Sequence, residues 1–148
     1  MTGSSGGSDP PGGRTPHRLV NPDSLARASG FAHAVVPAPG RTVYLAGQAG
    51  VRGDGTLAGP GLLEQFDQAL ANLVEALRAA GGRPEHLVQV HLFVTDVAGY
   101  REHLPDLGRW WLEHLGHHYP AVALFEVAGL FDPGAVIELT AVAVVPEQ

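Results

Sequence analysis

The sequence predicts an α+β domain in which a single mixed sheet carries two helices on one of its faces. Three observations lead there: helical spacing of apolar residues from Leu62 to Ala80, alternation from Val88 to Thr95, and an alternating apolar run from Val136 to Val145. With the shorter strand-like stretches, the order becomes strand, strand, helix, strand, helix, strand, strand, which suits helices layered on one sheet. A chain of 148 residues that is 45% hydrophobic is large enough for one core and too small for two.

Residues 1–16 contain Gly-Ser-Ser-Gly-Gly, Pro10-Pro11 and Gly12-Gly13, too little apolar surface to offset ordering entropy. A disordered tail is expected there and a folded domain over 17–148. Asn21-Pro22-Asp23-Ser24 reads as a turn, Phe31 to Val36 as a first strand, and Thr42 to Ala46 as a second strand paired with it through the Pro37 to Arg41 return. In the first helix Leu62, Phe66, Leu70, Leu73 and Leu77 share a face opposite Glu64, Gln68, Glu75 and Arg78. Gly81-Gly82 and Pro84 end it.

The next strand sets Val88, Val90, Leu92 and Val94 on one face and Gln89, His91, Phe93 and Thr95 on the other. Asp96 is placed to cap a second helix, from about Tyr100 to Leu115, with Leu104, Leu107, Trp111 and Leu115 as its buried stripe. Ala121 to Val127 is a strand, Asp132-Pro133-Gly134 a turn, and the last strand turns Ile137, Leu139 and Ala141 inward and Glu138 and Thr140 outward. The sheet face away from the helices is expected to carry Val122, Leu124 and Val142, too apolar for open water and suited to a subunit interface.

Composition removes several function classes. All nine basic residues are arginine, so no lysine can form a Schiff base, anchor pyridoxal phosphate or serve a P-loop. Without cysteine there is no disulfide, thiolate nucleophile or cysteine-bound zinc. The formal charge of −6 and the scattered arginines argue against nucleic acid as a partner. No apolar run approaches the roughly 20 residues of a membrane span, and no signal core opens the chain, so a cytoplasmic protein without a membrane partner is expected.

Ala46-Gly47-Gln48 at the end of an apolar strand, the Gln65 to Asn72 segment of the first helix, and Pro120-Ala121 opening the strand before Glu138 resemble, in that order and separation, the Rid superfamily, the reactive-intermediate deaminases of the RidA/YjgF type. The resemblance runs from about Phe31 to Val145. It implies a RidA/chorismate-mutase-like fold, a homotrimer with pockets between subunits, no cofactor, and a small imine or enamine as ligand. It also implies a site, which this chain departs from in most places. The archetype's tyrosine falls on Phe31, the serine of its Ser-Gly-Gln motif on Ala46, its second-helix asparagine near Leu104, its carboxylate-gripping arginine on Val122 and its cysteine on Leu124. Its last-strand glutamate is kept as Glu138, and Gln48 and Glu126 match positions of a more structural kind.

The loss at 122 matters most, because an arginine fork holds a carboxylate bidentately. A ligand carboxylate desolvated against Val122 would lose about 3 to 5 kcal/mol, more than a hundredfold in affinity. The expected ligand is therefore an imine or enamine without the usual amino-acid carboxylate, with Glu138 as the catalytic residue that orients or deprotonates water. His33 and His91 are further ligand-site candidates, since imidazole transfers protons near neutrality. A non-catalytic trimeric metabolite binder or scaffold is the alternative. Glu113, His114, His117 and His118 are too close to a fraying helix end to predict a metal site, and Trp110-Trp111 is expected to pack the second helix. No Gly-x-Ser-x-Gly elbow surrounds Ser24 or Ser29.

Overall fold

The computed structural model describes residues 14–147, so residues 1–13 of the tail expected over 1–16 lie outside the described residues. A sheet of four strands is ordered β3 (Arg41–Ala49), β6 (Ile137–Val145), β4 (Leu87–Val94), β5 (Ala121–Glu126). β6 runs antiparallel to β3 and β4, while β4 and β5 are parallel, as their helical crossover requires. Helix α1 (Leu62–Ala79) and the crossover helices α2 (Val97–Glu102) and α3 (Leu104–Leu115) complete the α+β layer. No helix among the described residues is long and apolar enough to cross a membrane.

The periodicity of α1 is realised directly: Phe66, Leu70, Leu73 and Leu77 are fully buried on the sheet. They meet Val90 and Leu92 of β4, Leu139 and Ala143 of β6, and Leu107, Trp111 and Leu115 of α3 in one cluster. Each buried leucine contributes about 1.5–3 kcal/mol of transfer free energy, which makes this cluster the main stabiliser of the sheet-on-helix layer.

Four expectations change. The segment Ala34–Val36 (β2) does not pair with β3; it pairs antiparallel with β1 (Arg18–Val20) in a separate two-stranded sheet, with Leu19 opposite Val35. Pro37 and Pro39 remove two amide donors from the return, and the Ala38 N–H is bound by His17 Nδ1 at 3.0 Å, so no tight hairpin to β3 can close. β3 pairs with β6 instead, Val43 and Leu45 opposite Ala143 and Ala141.

The second helix is two helices. Asp96 caps α2 by accepting the Gly99 N–H at 3.1 Å, but Pro105 has no N–H to give and is tolerated only in a first turn, so the helix stops at His103 and restarts as α3. Leu104, placed in the buried stripe by spacing, is 52% exposed at that restart. Val122 and Leu124 also change sides. They stand opposite Val90 and Leu92, which are buried under the helices, so both face the helix layer; of the three residues expected on the open face, only Val142 is there, opposite Tyr44 and Gln89.

A cluster of histidines ties β1 to the core. His17 Nε2 donates to the His86 carbonyl at 3.0 Å, and His118 Nε2 donates to the Leu87 carbonyl at 2.8 Å. His86 Nδ1 accepts the Arg83 N–H at 3.0 Å. Burial, foremost, holds both His86 and His118 below the ordinary value of 6.5. A histidine whose folded pKa lies below its unfolded one stabilises the fold fully above the unfolded value and loses that contribution as pH falls towards the folded value. Thermal melts are therefore expected to fall from pH 6.5 downwards. His118→Gln, which keeps a donor for Leu87 without titrating, flattens this fall, and an equally steep fall in that variant would locate the effect elsewhere.

Candidate functional site

A cavity of about 390 Å³ opens at the β5 edge, between the sheet and α2 and α3. Its floor is Leu92 of β4 with Val122 and Leu124 of β5. Tyr100, Leu104 and Trp111 close it from the helices, and Ser29 to Phe31 form its rim. The rim is held in place by the Ala32 N–H, which donates to the Pro120 carbonyl at 2.9 Å and lays Ala32 beside Ala121. Phe31, Leu104, Val122 and Leu124 thus come together, as Pro120 turns the chain from α3 into an edge strand whose inward residues are apolar. No charged side chain lines this space among the described residues, and no arginine replaces the one missing at 122.

Glu138 and His91 are elsewhere. Glu138 stands opposite Phe93 on the open face of the sheet, while its neighbours Ile137 and Leu139 are buried under the helices. The register of β3 shifts between Leu45 and Gln48, a bulge that sets Gly47 beneath the Glu138 carboxylate; a Cβ there would collide with Oε2. Glycine in the Ala46-Gly47-Gln48 motif is therefore the seat of that side chain, and Ala46 is exposed next to it. His91 lies opposite Thr140 and Ala123 on the same face, edge-on to Phe93 and Phe125 at 6.3 and 5.7 Å. Within one chain, two faces of one sheet separate the carboxylate from the cavity.

His33 falls in a third place. Its Nε2 donates to the Ala26 carbonyl at 2.7 Å and its N–H to Asn21 Oδ1 at 2.9 Å, so it braces the loop of residues 21–28 and lines a separate crevice of about 440 Å³ with Asp23 and Arg27. Its ring touches Phe31 edge-on at 5.1 Å, linking that loop to the rim of the apolar cavity. Nothing about its sequence position distinguishes this bracing role from a ligand-facing one.

Four aromatic residues, Phe66, Tyr100, Trp111 and Tyr119, add to the cavity beyond the expected set. Trp111 is fixed by donating Nε1–H to the His118 carbonyl at 3.1 Å, and Tyr119 stacks on it. Tyr100 is half-buried, and burial pushes its phenol above the usual 10.0. In the single helix that the spacing predicts it precedes Leu104 by one turn, and although the helix breaks between them both still reach the cavity.

The acid and histidine residues at the end of α3 do not converge. His114 Nε2 is paired with Asp67 Oδ1 at 2.6 Å between α3 and α1, while His118 is buried against Leu87. Among the described residues, no group of three or more His, Asp or Glu side chains is placed to hold a metal ion.

The family described as Endoribonuclease L-PSP matches this sequence over residues 22–145, most of the chain. The chain belongs to the Rid (RidA/YjgF) family. The human protein named 2-iminobutanoate/2-iminopropanoate deaminase is 31% identical over 105 residues, covering 70% of this chain and 73% of that protein. Among solved structures, a Rid family protein of Yersinia pestis, YyfB, described as of unknown function, superposes with a TM-score of 0.79 at 32% identity, over 87% of this chain and 98% of the other. RidA of the Antarctic bacterium Psychrobacter sp. gives a TM-score of 0.62 at 28% identity, over 81% and 92%. A mixed α+β fold with this sheet and these helices is thus shared across the Rid family, and several of its named relatives are imine deaminases.

Proposed function

We propose that this Rid protein hydrolyses a small imine or enamine that lacks the carboxylate of amino-acid-derived imines, in a pocket completed between subunits of a homotrimer. The observation that carries the reading is the cavity without a charged wall, beside Val122. A neutral ligand loses little on entering it, whereas a carboxylate would shed its hydration with no cation to receive it.

A single copy cannot bring Glu138 to its own cavity, so in this reading a neighbouring copy presents it. Support comes from the open face itself, where Tyr44, opposite Val142, is 81% exposed and Phe125, opposite Phe93, is 45% exposed, a surface suited to burial against a second chain. The Glu138 carboxylate takes a proton from water as the oxygen adds to the C=N carbon, and passes that proton to the nitrogen to give an amino alcohol. On collapse Glu138 relays the hydroxyl proton to the departing nitrogen, the C–N bond breaks, and ammonia and a carbonyl compound leave with the carboxylate restored.

A non-catalytic binder would keep the cavity and have no use for the carboxylate. The two readings separate when freshly generated imines, one with a carboxylate and one without, are mixed with the protein and C=N absorbance is followed. The carboxylate-free imine is expected to decay faster than in buffer, and Glu138→Gln to slow that decay about a hundredfold or more, the range of a lost general base. Identical traces for the two proteins would leave binding alone, and light scattering that finds a monomer would remove the shared pocket.

A further inference from the structure

Of the polar side chains around the cavity, Trp111 is already engaged. The only donor of Trp111 is taken by the His118 carbonyl, so that residue offers a ligand nothing but a ring. Tyr119 lies nearly parallel to it, centroids 6.1 Å apart and planes 10° apart. Phe66 meets Tyr100 edge to face at 6.5 Å and 76°. These rings and the leucines beside them make walls that favour a flat apolar guest.

The hydroxyls are not. Among the described residues, neither Ser29, exposed on the rim, nor Tyr100 nor Tyr119 forms a side-chain hydrogen bond. A hydroxyl open to solvent gives up water when a guest covers it, so it discriminates among ligands by what they offer in return. Of the two phenols, Tyr100 is held above the ordinary range by burial, which keeps it a donor through neutral and mildly alkaline pH. It also projects from α2, next to the helix break at His103 that leaves Leu104 at the mouth.

We infer that Tyr100 is a specificity-determining residue of this cavity, donating its phenolic hydrogen to the nitrogen or oxygen of an uncharged, ring-bearing imine and of the ketone or aldehyde that imine yields. The inference rests on the cavity being the ligand site of the proposed function, but not on turnover. The same donor serves both ends of the reaction, since C=N and C=O each present a lone pair. The uncharged walls exclude the carboxylate, and the rings select for a planar substituent over a short alkyl one.

Calorimetric titration of the full-length protein with acetophenone, ethylbenzene and benzoate tests this with stable probes. Acetophenone is expected to bind about tenfold tighter than ethylbenzene, the value of one well-made hydrogen bond in a dry site. Tyr100→Phe should remove that advantage by weakening acetophenone about five- to tenfold while leaving ethylbenzene unchanged. Tyr119→Phe should preserve the advantage, and benzoate should fail to compete. Equal weakening of both neutral probes by Tyr100→Phe, loss of the advantage in Tyr119→Phe alone, absence of acetophenone binding, or benzoate binding as tightly as acetophenone would each overturn it. No probe is turned over, so an inactive protein can pass this test and an active one can fail it, which separates this inference from the catalytic reading.

Discussion

Val122→Arg should convert the cavity from one that rejects carboxylates to one that holds them. In the unaltered protein pyruvate or 2-oxobutanoate meets a cavity with no cationic side chain. A guanidinium projecting from β5 into that space supplies the planar, two-pronged partner such ligands need. The expected gain in affinity is more than a hundredfold, the counterpart of the roughly 3 to 5 kcal/mol lost when one member of a buried ion pair is absent. The substitution should carry a second signature. With no ligand, a charge enters an uncharged cavity and the melting temperature drops; adding the 2-oxo acid restores it through selective binding to the folded state. A folded variant that neither binds the acids nor is stabilised by them would mean that the geometry around position 122, and not its charge alone, forbids the interaction.

The largest stability effect is expected far from the cavity, at Gln65. This side chain is wholly buried in α1, yet its carboxamide is fully engaged: Nε2 donates to the carbonyls of Gly59 and Gly134 at 2.9 and 3.0 Å, and Oε1 accepts the Val136 N–H at 2.8 Å. One side chain thereby joins the loop before α1 to the turn that launches β6. Gly50 packs against its backbone so closely that a Cβ there would meet the Gln65 carbonyl at 2.5 Å. Gln65→Leu preserves size and helix propensity but orphans one donor and two acceptors. At about 1–3 kcal/mol for each group left unsatisfied, with part regained from leucine's transfer into the core, a net loss of about 3–5 kcal/mol follows. For a chain of this size that is a drop of about 10–15 °C in Tm, readable by calorimetry or urea titration. A loss under about 1 kcal/mol would show that water replaces the carboxamide at little cost.

Gln65 also shows how unevenly sequence speaks. Its helix is legible because Phe66, Leu70, Leu73 and Leu77 repeat at helical spacing, and β4 and β6 are legible because they alternate over most of their length, although a register shift between Leu87 and Gln89 takes Val88 out of the face that it is expected to share with Val90. β1 is three residues long, too short for any period to emerge, and its pairing with β2 is a contact between segments that no local pattern specifies. Pro105 was a visible signal of the helix break; the spacing of Leu104, Leu107 and Trp111 conceals it, because a helix that restarts in nearly the same direction preserves much of its stripe.

The site divides in the same way. That Phe31, Leu104, Val122 and Leu124 share a cavity is what the resemblance to the Rid family implies, and all four line one space. Which face of the sheet each residue occupies does not, since shifting a strand's register by one residue exchanges its faces. Val122 faces the helices because it stands opposite Val90, and Glu138 faces away because it stands opposite Phe93; both facts belong to strand pairing. Tyr100 reads in the sequence as a helix start, and no local pattern marks it as a cavity wall.

Strand β4 is hydrogen-bonded to β5 on one side and to β6 on the other. It turns Leu92 to the cavity and Phe93 to the reverse side, where Phe93 stands opposite Glu138 of β6. In the proposed trimer, a guest against Leu92 and a neighbouring copy against the open face would lean on adjacent residues of one strand.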